Sequence, residues 1–143
     1  MNLPLLTISW ALPLAGAILM LLVPNPAGSR SNLFRWLALL VSTATFVVTL
    51  SAAQATDVTV GYTTGGGTAT AGSDYLASSG TVTFTPGQTT RPIDVTIVGD
   101  TTYEPDETFQ VTLSSPVGAV IDDGVGVGTI LNDDPPPGPS RVF

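Results

Sequence analysis

From Leu5 to Val23 the chain reads LLTISWALPLAGAILMLLV, with no charged side chain, and after the loop VPNPAGSRSN a second uncharged apolar run extends from Trp36 to Ala53. A helix rises about 1.5 Å per residue, so runs of this length nearly cross a hydrocarbon core of about 30 Å. The pattern predicts membrane helices over residues 5–23 and 36–53. Pro13 and Gly16 are tolerated in such helices, and Trp36 beside Arg35 suits a headgroup boundary. Beyond Thr56 the period changes to two. Val58, Val60 and Tyr62 share one strand face, as do Val82 with Phe84, Ile93 with Val95 and Ile97, and Phe109 with Val111 and Leu113. A fifth strand, VGVGTIL from Val125, places glycines where an inward face favours branched residues. Turn signals separate these runs: GGGT at Gly65–Thr68, PGQ at Pro86–Gln88, SSP at Ser114–Pro116 and DDG at Asp122–Gly124. Short strands at near-regular spacing predict a β-sandwich over residues 57–134. The proline run that follows, in residues 135–143, reads as a stiff linker or tail.

Charge divides the chain at the same place. Residues 1–56 carry only Arg30 and Arg35, whereas all eleven acids lie between Asp57 and Asp134, against the single base Arg91 in that stretch. Both early arginines fall between the apolar runs, so the positive-inside rule keeps that loop cytoplasmic and the β-part outside the cytoplasm. An alternative is a secretory signal, with Ala53-Gln54-Ala55 as a small-residue cleavage site that releases residues 56–143. Nucleic acid is excluded as a partner by the lack of basic surface. The chain has no cysteine and no histidine, which removes thiolate metal sites and every catalytic arrangement built on imidazole. Glu104 and Glu107 have no nucleophile or aromatic cleft beside them, and GGGT lacks the lysine of a phosphate loop, so no enzyme is expected.

The acids gather in three groups: Asp74 in GSDY; Asp100, Glu104, Asp106 and Glu107 in GDTTYEPDE; and Asp133 with Asp134 in ILNDD. Carboxylates drawn together from separate loops repel one another unless a cation sits among them, and calcium takes about six to eight oxygens from such loops. Alternating strand directions bring all three groups to one end of the sandwich. By the same count Asp57, Asp122 and Asp123 fall elsewhere, as turn or strand-end residues.

Two resemblances add to this reading. MNLPLLTISWALPLAGAILMLLVPN and the arginine-flanked run after it resemble the amino terminus of subunit M of bacterial NADH-quinone oxidoreductase, over about the first fifty residues. GGGTATAGSDY, GTVTFTPGQTTRPIDVTIVGDTTYEPDETFQVTLSSP and GTILNDD resemble the Calx-beta domain, the immunoglobulin-like sandwich of sodium–calcium exchangers, integrin β4 and many bacterial surface proteins. That second resemblance implies a calcium site built from Asp74, Asp100, Glu104, Glu107, Asp133 and Asp134. It also implies a role in cell-surface adhesion or communication, with neighbouring β-domains or surface proteins as partners. Gly99 and Asn132 stand where exchanger domains carry acids, so weak calcium binding is expected. The family's first two strands have no counterpart after Asp57. The expected chain is thus mainly β, a truncated Calx-beta sandwich behind two membrane helices, anchored or secreted. The alternatives are a structural β-module without useful calcium affinity, or a respiratory-subunit fragment fused to an unrelated β-domain.

Overall fold

The computed structural model describes residues 3–11 and 42–138. Within them lie eight strands: β1 (Leu5–Ala11), β2 (Ser42–Leu50), β3 (Val58–Gly65), β4 (Ser79–Phe84), β5 (Thr90–Ile97), β6 (Glu107–Val117), β7 (Val120–Asp123) and β8 (Val125–Ile130). They form two four-stranded sheets, ordered β5-β2-β1-β7 and β4-β3-β6-β8. Inward residues of both sheets make one core. Phe46, Val48 and Val95 of the first sheet and Val58, Val60, Phe84, Phe109 and Val111 of the second are almost completely buried. Each large apolar side chain so buried contributes about 1.5–3 kcal/mol. The ring of Phe46 meets that of Phe109 edge-on, with centroids 5.7 Å apart, and so ties the two sheets at mid-core.

The first two strands overturn the helical expectation where it is visible. Leu5–Ala11 and Ser42–Leu50 are strands, paired antiparallel from Leu6 opposite Leu50 to Ala11 opposite Thr45. They complete the sandwich that the count from Asp57 left short, so the domain is not truncated at that point. The cause is residue shape and period. In β2, Phe46, Val48 and Leu50 are buried while Thr43, Thr45, Val47 and Thr49 alternate outward, and branched residues favour extended backbone. In β1, Leu6 and Ile8 are buried, and the Thr7 hydroxyl bonds to that of Thr49. No helix among the described residues is long and apolar enough to cross a membrane. The remainder of the two expected helices, residues 12–23 and 36–41, lies outside the described residues, as do Arg30 and Arg35.

From Val58 on, the five expected strands are present, with β7 as a sixth. SSP is not a turn: Ser114–Pro116 lie within β6, where the register against β3 shifts between Thr59 and Gly61 and Ser115 takes a φ of 49°. This is a β-bulge, and the chain reverses later, at Gly118 (φ 80°). The glycines of β8 also find their reason. A Cβ on Gly126 would lie 2.7 Å from Phe46 Cδ1, and one on Gly128 would lie 2.6 Å from Phe109 Cε1. The inward face of β8 is bare because two phenylalanine rings occupy its space.

Candidate metal centre

Three segments meet at the end of the sandwich where β5 finishes and β6 begins. The first is the turn around Asp74, held against the sheet by its neighbours. Tyr75 bridges to Ile97, Leu76 N–H donates to the Thr96 carbonyl (2.9 Å), and Val98 N–H donates to the Asp74 carbonyl (2.9 Å). Tyr75 itself is buried and stacks on Phe109 at 5.0 Å, so the aromatic core anchors the residue next to the carboxylate. The turn is closed by Thr70 N–H, which donates to Asp74 Oδ2 (2.5 Å). On its other side the GGGT segment lies flat on β6. Gly67 has φ +81°, and a Cβ there would come within 2.1 Å of the Thr108 carbonyl oxygen, so only glycine fits.

The second segment is the β5–β6 connection with Asp100, Glu104 and Asp106, and the third is Asn132–Asp134 after β8. A network joins them. Asn132 Oδ1 accepts from Glu104 N–H (3.2 Å), Asn132 N–H donates to Asp106 Oδ1 (2.9 Å), and Asn132 Nδ2 donates to the Asp134 carbonyl (2.9 Å). Asp100 Oδ1 accepts from Thr102 N–H (2.7 Å), which folds the start of the connection into an Asx turn. Asn132 and Asp106 therefore staple two acidic loops together. Sequence reasoning missed this role: Asn132 counted as a lost ligand, and Asp106 was left out of the candidate set.

Carboxylate oxygens of Asp74, Glu104 and Glu107 all come within 4.8 Å of one another. Asp74 is only 9% exposed. Its carboxyl is held below the usual range chiefly by the Thr70 N–H; burial opposes this, and hydrogen bonds with Ser73 and Glu107 assist it. Glu107 is pushed above its usual range, first by its hydrogen bond with Asp74, then by desolvation and the charges of Asp74 and Glu104. The two carboxyls titrate as a coupled pair, in which Asp74 is the stronger acid and Glu107 the weaker. Asp134 is also raised, by desolvation first and then by the charges of Asp133 and Asp100. Asp100, Asp133 and Asp134 accordingly form a second acidic group at the same end. Asp122 and Asp123 sit elsewhere, on β7, which pairs with β1. Arg91, the only base among the described residues, is exposed near the opposite end of β5, across from Val48.

A model of the Calx-beta domain matches residues 41–133. The chain belongs to the Calx-beta family. The match begins at residue 41, so it takes in β2 and claims the last part of the stretch that resembles subunit M. The chain is 50% identical over 58 residues to sodium/calcium exchanger 1 of Canis lupus familiaris, covering 41% of this chain and 6% of the exchanger. It is 46% identical over 54 residues to sodium/calcium exchanger 2 of Mus musculus, covering 38% of this chain and again 6% of the relative. The chain therefore spans only a small part of the exchangers that it matches. Among solved structures it is similar to the apo form of the Calx CBD1 domain, at TM-score 0.57 and 29% identity, over 64% of this chain and 81% of that one. It is also similar to the calcium binding domain CBD12 of CALX1.1, at TM-score 0.61 and 28% identity, over 64% of this chain and 40% of that one.

Proposed function

We propose that the acidic end of this Calx-beta domain binds calcium, and that its action is binding rather than turnover. The observation that carries this reading is the convergence of carboxylate oxygens of Asp74, Glu104 and Glu107 within 4.8 Å of one another, with no base beside them among the described residues. An all-carboxylate set whose members repel one another fits a hard dication, which would neutralise them. Asp74, Glu104 and Glu107 would hold one ion, and Asp100, Asp133 and Asp134 supply the oxygens of an adjoining position. Several carboxylates on loops suit the larger, geometrically tolerant calcium better than magnesium, which keeps its waters and demands an octahedron. The relatedness to a calcium binding domain supports the same choice.

The ion would neutralise three loops at once and stiffen the end from which the proline run departs toward any neighbouring β-domain. Asn132 is committed to the loop network rather than free to ligate, which supports weak affinity, about 0.1–1 mM or poorer. Affinity of that order is useful outside the cytoplasm, where calcium is abundant, and on this ground we place the domain in extracytoplasmic adhesion or communication. Membrane attachment through residues 5–23 and 36–53 loses its basis where those residues are strands. The commitment of Asn132 also favours a second reading, a structural β-module whose acids stay solvated. Terbium luminescence separates the two, because Tyr103, in the connection that carries Asp100 and Glu104, is a sensitiser beside the site. We expect sensitised emission that calcium displaces and magnesium does not, and its loss in Asp74→Asn. Emission absent from the folded chain would leave the structural module standing.

A further inference from the structure

Each of the three segments that meet at the acidic end carries one large apolar side chain in water. Leu76, two residues after Asp74, is 51% exposed, as is Tyr103 beside Glu104, and Leu131, which precedes Asn132, is 68% exposed. The core is complete without them. Single exposed apolar residues are ordinary on a protein surface, but a solvated acidic face gives no reason for one on each of its segments. The chain also leaves and re-enters the sandwich at this end. β1 finishes at Ala11, opposite Thr45, and β2 begins at Ser42, opposite Ile97 at the close of β5. The sequence between, residues 12–41, lies outside the described residues; it contains no acid, Arg30 and Arg35, and an uninterrupted uncharged run from Leu12 to Val23.

We propose that this end docks on an anionic lipid bilayer when calcium is bound, the ion bridging the acidic loops to lipid phosphates while Leu76, Tyr103 and Leu131 enter the boundary between headgroups and acyl chains. This rests on the calcium binding proposed above. Charge makes the docking conditional: the chain has a formal net charge of −7, so without the ion an anionic surface repels it. Calcium takes about six to eight oxygens, and Asn132 is spent on the loop network, which leaves part of the shell to oxygens from outside the chain. With the repulsion removed, apolar contact adds to the attraction, because interfacial binding grows with buried apolar area and tyrosine suits the headgroup boundary. The opposite end fits this partner less well. Leu3, Leu5, Val117 and Val120 are exposed there, but among the described residues three acids converge only around Asp74, Glu104 and Glu107.

The test is co-sedimentation of the full chain with vesicles of mixed phosphatidylserine and phosphatidylcholine, with thermal unfolding followed in parallel. Wild type is expected to sediment with these vesicles in millimolar calcium, and to stay in solution with a chelator, with magnesium, or with vesicles of phosphatidylcholine alone. Tyr103→Ser combined with Leu131→Ser is expected to keep stabilisation by calcium and to weaken partition about tenfold or more, whereas Leu3→Ser, at the other end, partitions as wild type. Should the double variant fail to fold, Leu131→Ser alone decides. Stabilisation by calcium without sedimentation overturns this inference and leaves the calcium reading standing, whereas calcium that changes neither overturns both. Sedimentation that needs no calcium, is equal with phosphatidylcholine alone, survives undiminished in the double variant or is lost in Leu3→Ser also overturns it.

Discussion

Asp74 is the residue on which the acidic end turns, because it is the one carboxylate fixed by backbone donation while being nearly buried. Asparagine at this position keeps an oxygen for the Thr70 N–H and removes only the charge. Asp74→Asn is therefore expected to leave the calcium-free fold intact, return the Glu107 carboxyl toward its ordinary value, and abolish stabilisation by calcium. Carboxyl-resolved NMR titration and thermal unfolding read these effects separately. The shifts also predict a pH dependence. Glu107 and Asp134 are raised in the fold, so their contribution is full below their unfolded values and is lost as pH rises through their folded ones. Asp74 is lowered, and its contribution is complete above the ordinary aspartate value of 3.8, so it adds no opposing slope there. The calcium-free protein is expected to lose stability as pH rises from the ordinary glutamate value of 4.5 through the raised value of Glu107 in the fold, and calcium should erase that loss. A melting temperature that rises over this interval without calcium would contradict the raised Glu107 carboxyl. At this scale strand direction assigns Asp74, Glu104 and Glu107 to one end, and their oxygens do approach one another there. The sequence was silent about Asn132 and Asp106, whose roles depend on backbone groups brought together across the β5–β6 connection and the segment after β8.

Among the elements, β1 and β2 carry the clearest lesson. Hydropathy averaged along Leu5–Val23 and Trp36–Ala53 cannot distinguish a lipid-facing helix from a strand whose threonines face out and whose phenylalanine and leucine face in. The alternation Thr45-Phe46-Val47-Val48-Thr49-Leu50 held the answer, since branched residues at a period of two build a half-buried strand. The consequence is testable. A chain beginning at Thr56 lacks Leu6, Ile8, Phe46, Val48 and Leu50, whose burial is worth about 1.5–3 kcal/mol for each large side chain. Such losses are comparable to the whole stability of a domain, about 5–15 kcal/mol. Residues 56–143 alone are expected to show no cooperative urea transition, whereas the full chain should show one. Opposite in kind is β8, where sequence reading hesitated over bare glycines. Gly128→Val should cost about 1–3 kcal/mol by overpacking, because its Cβ would meet the Phe109 ring at 2.6 Å. A urea midpoint equal to wild type would show that the ring can yield. The short β7 escaped notice since VIDD reads as a turn when β1, its partner, is assigned elsewhere.

At the scale of the molecule, the sandwich carries an acidic end that needs a counter-ion. Two sheets joined through Phe46, Phe109 and Tyr75 make the acidic loops an extension of the core, so an ion bound there stabilises the fold as a whole. With millimolar calcium about one- to tenfold above its dissociation constant, that linkage is worth about 0.4–1.4 kcal/mol. For a domain of this size the melting temperature would rise by about 2–6 °C. Thermal unfolding of the full chain with and without millimolar calcium, beside Asp74→Asn under the same conditions, is the most direct measurement of the central claim. A rise is expected in wild type with calcium, none with magnesium, and none in the variant. An equal midpoint with and without calcium in a folded wild type would contradict calcium binding at this end.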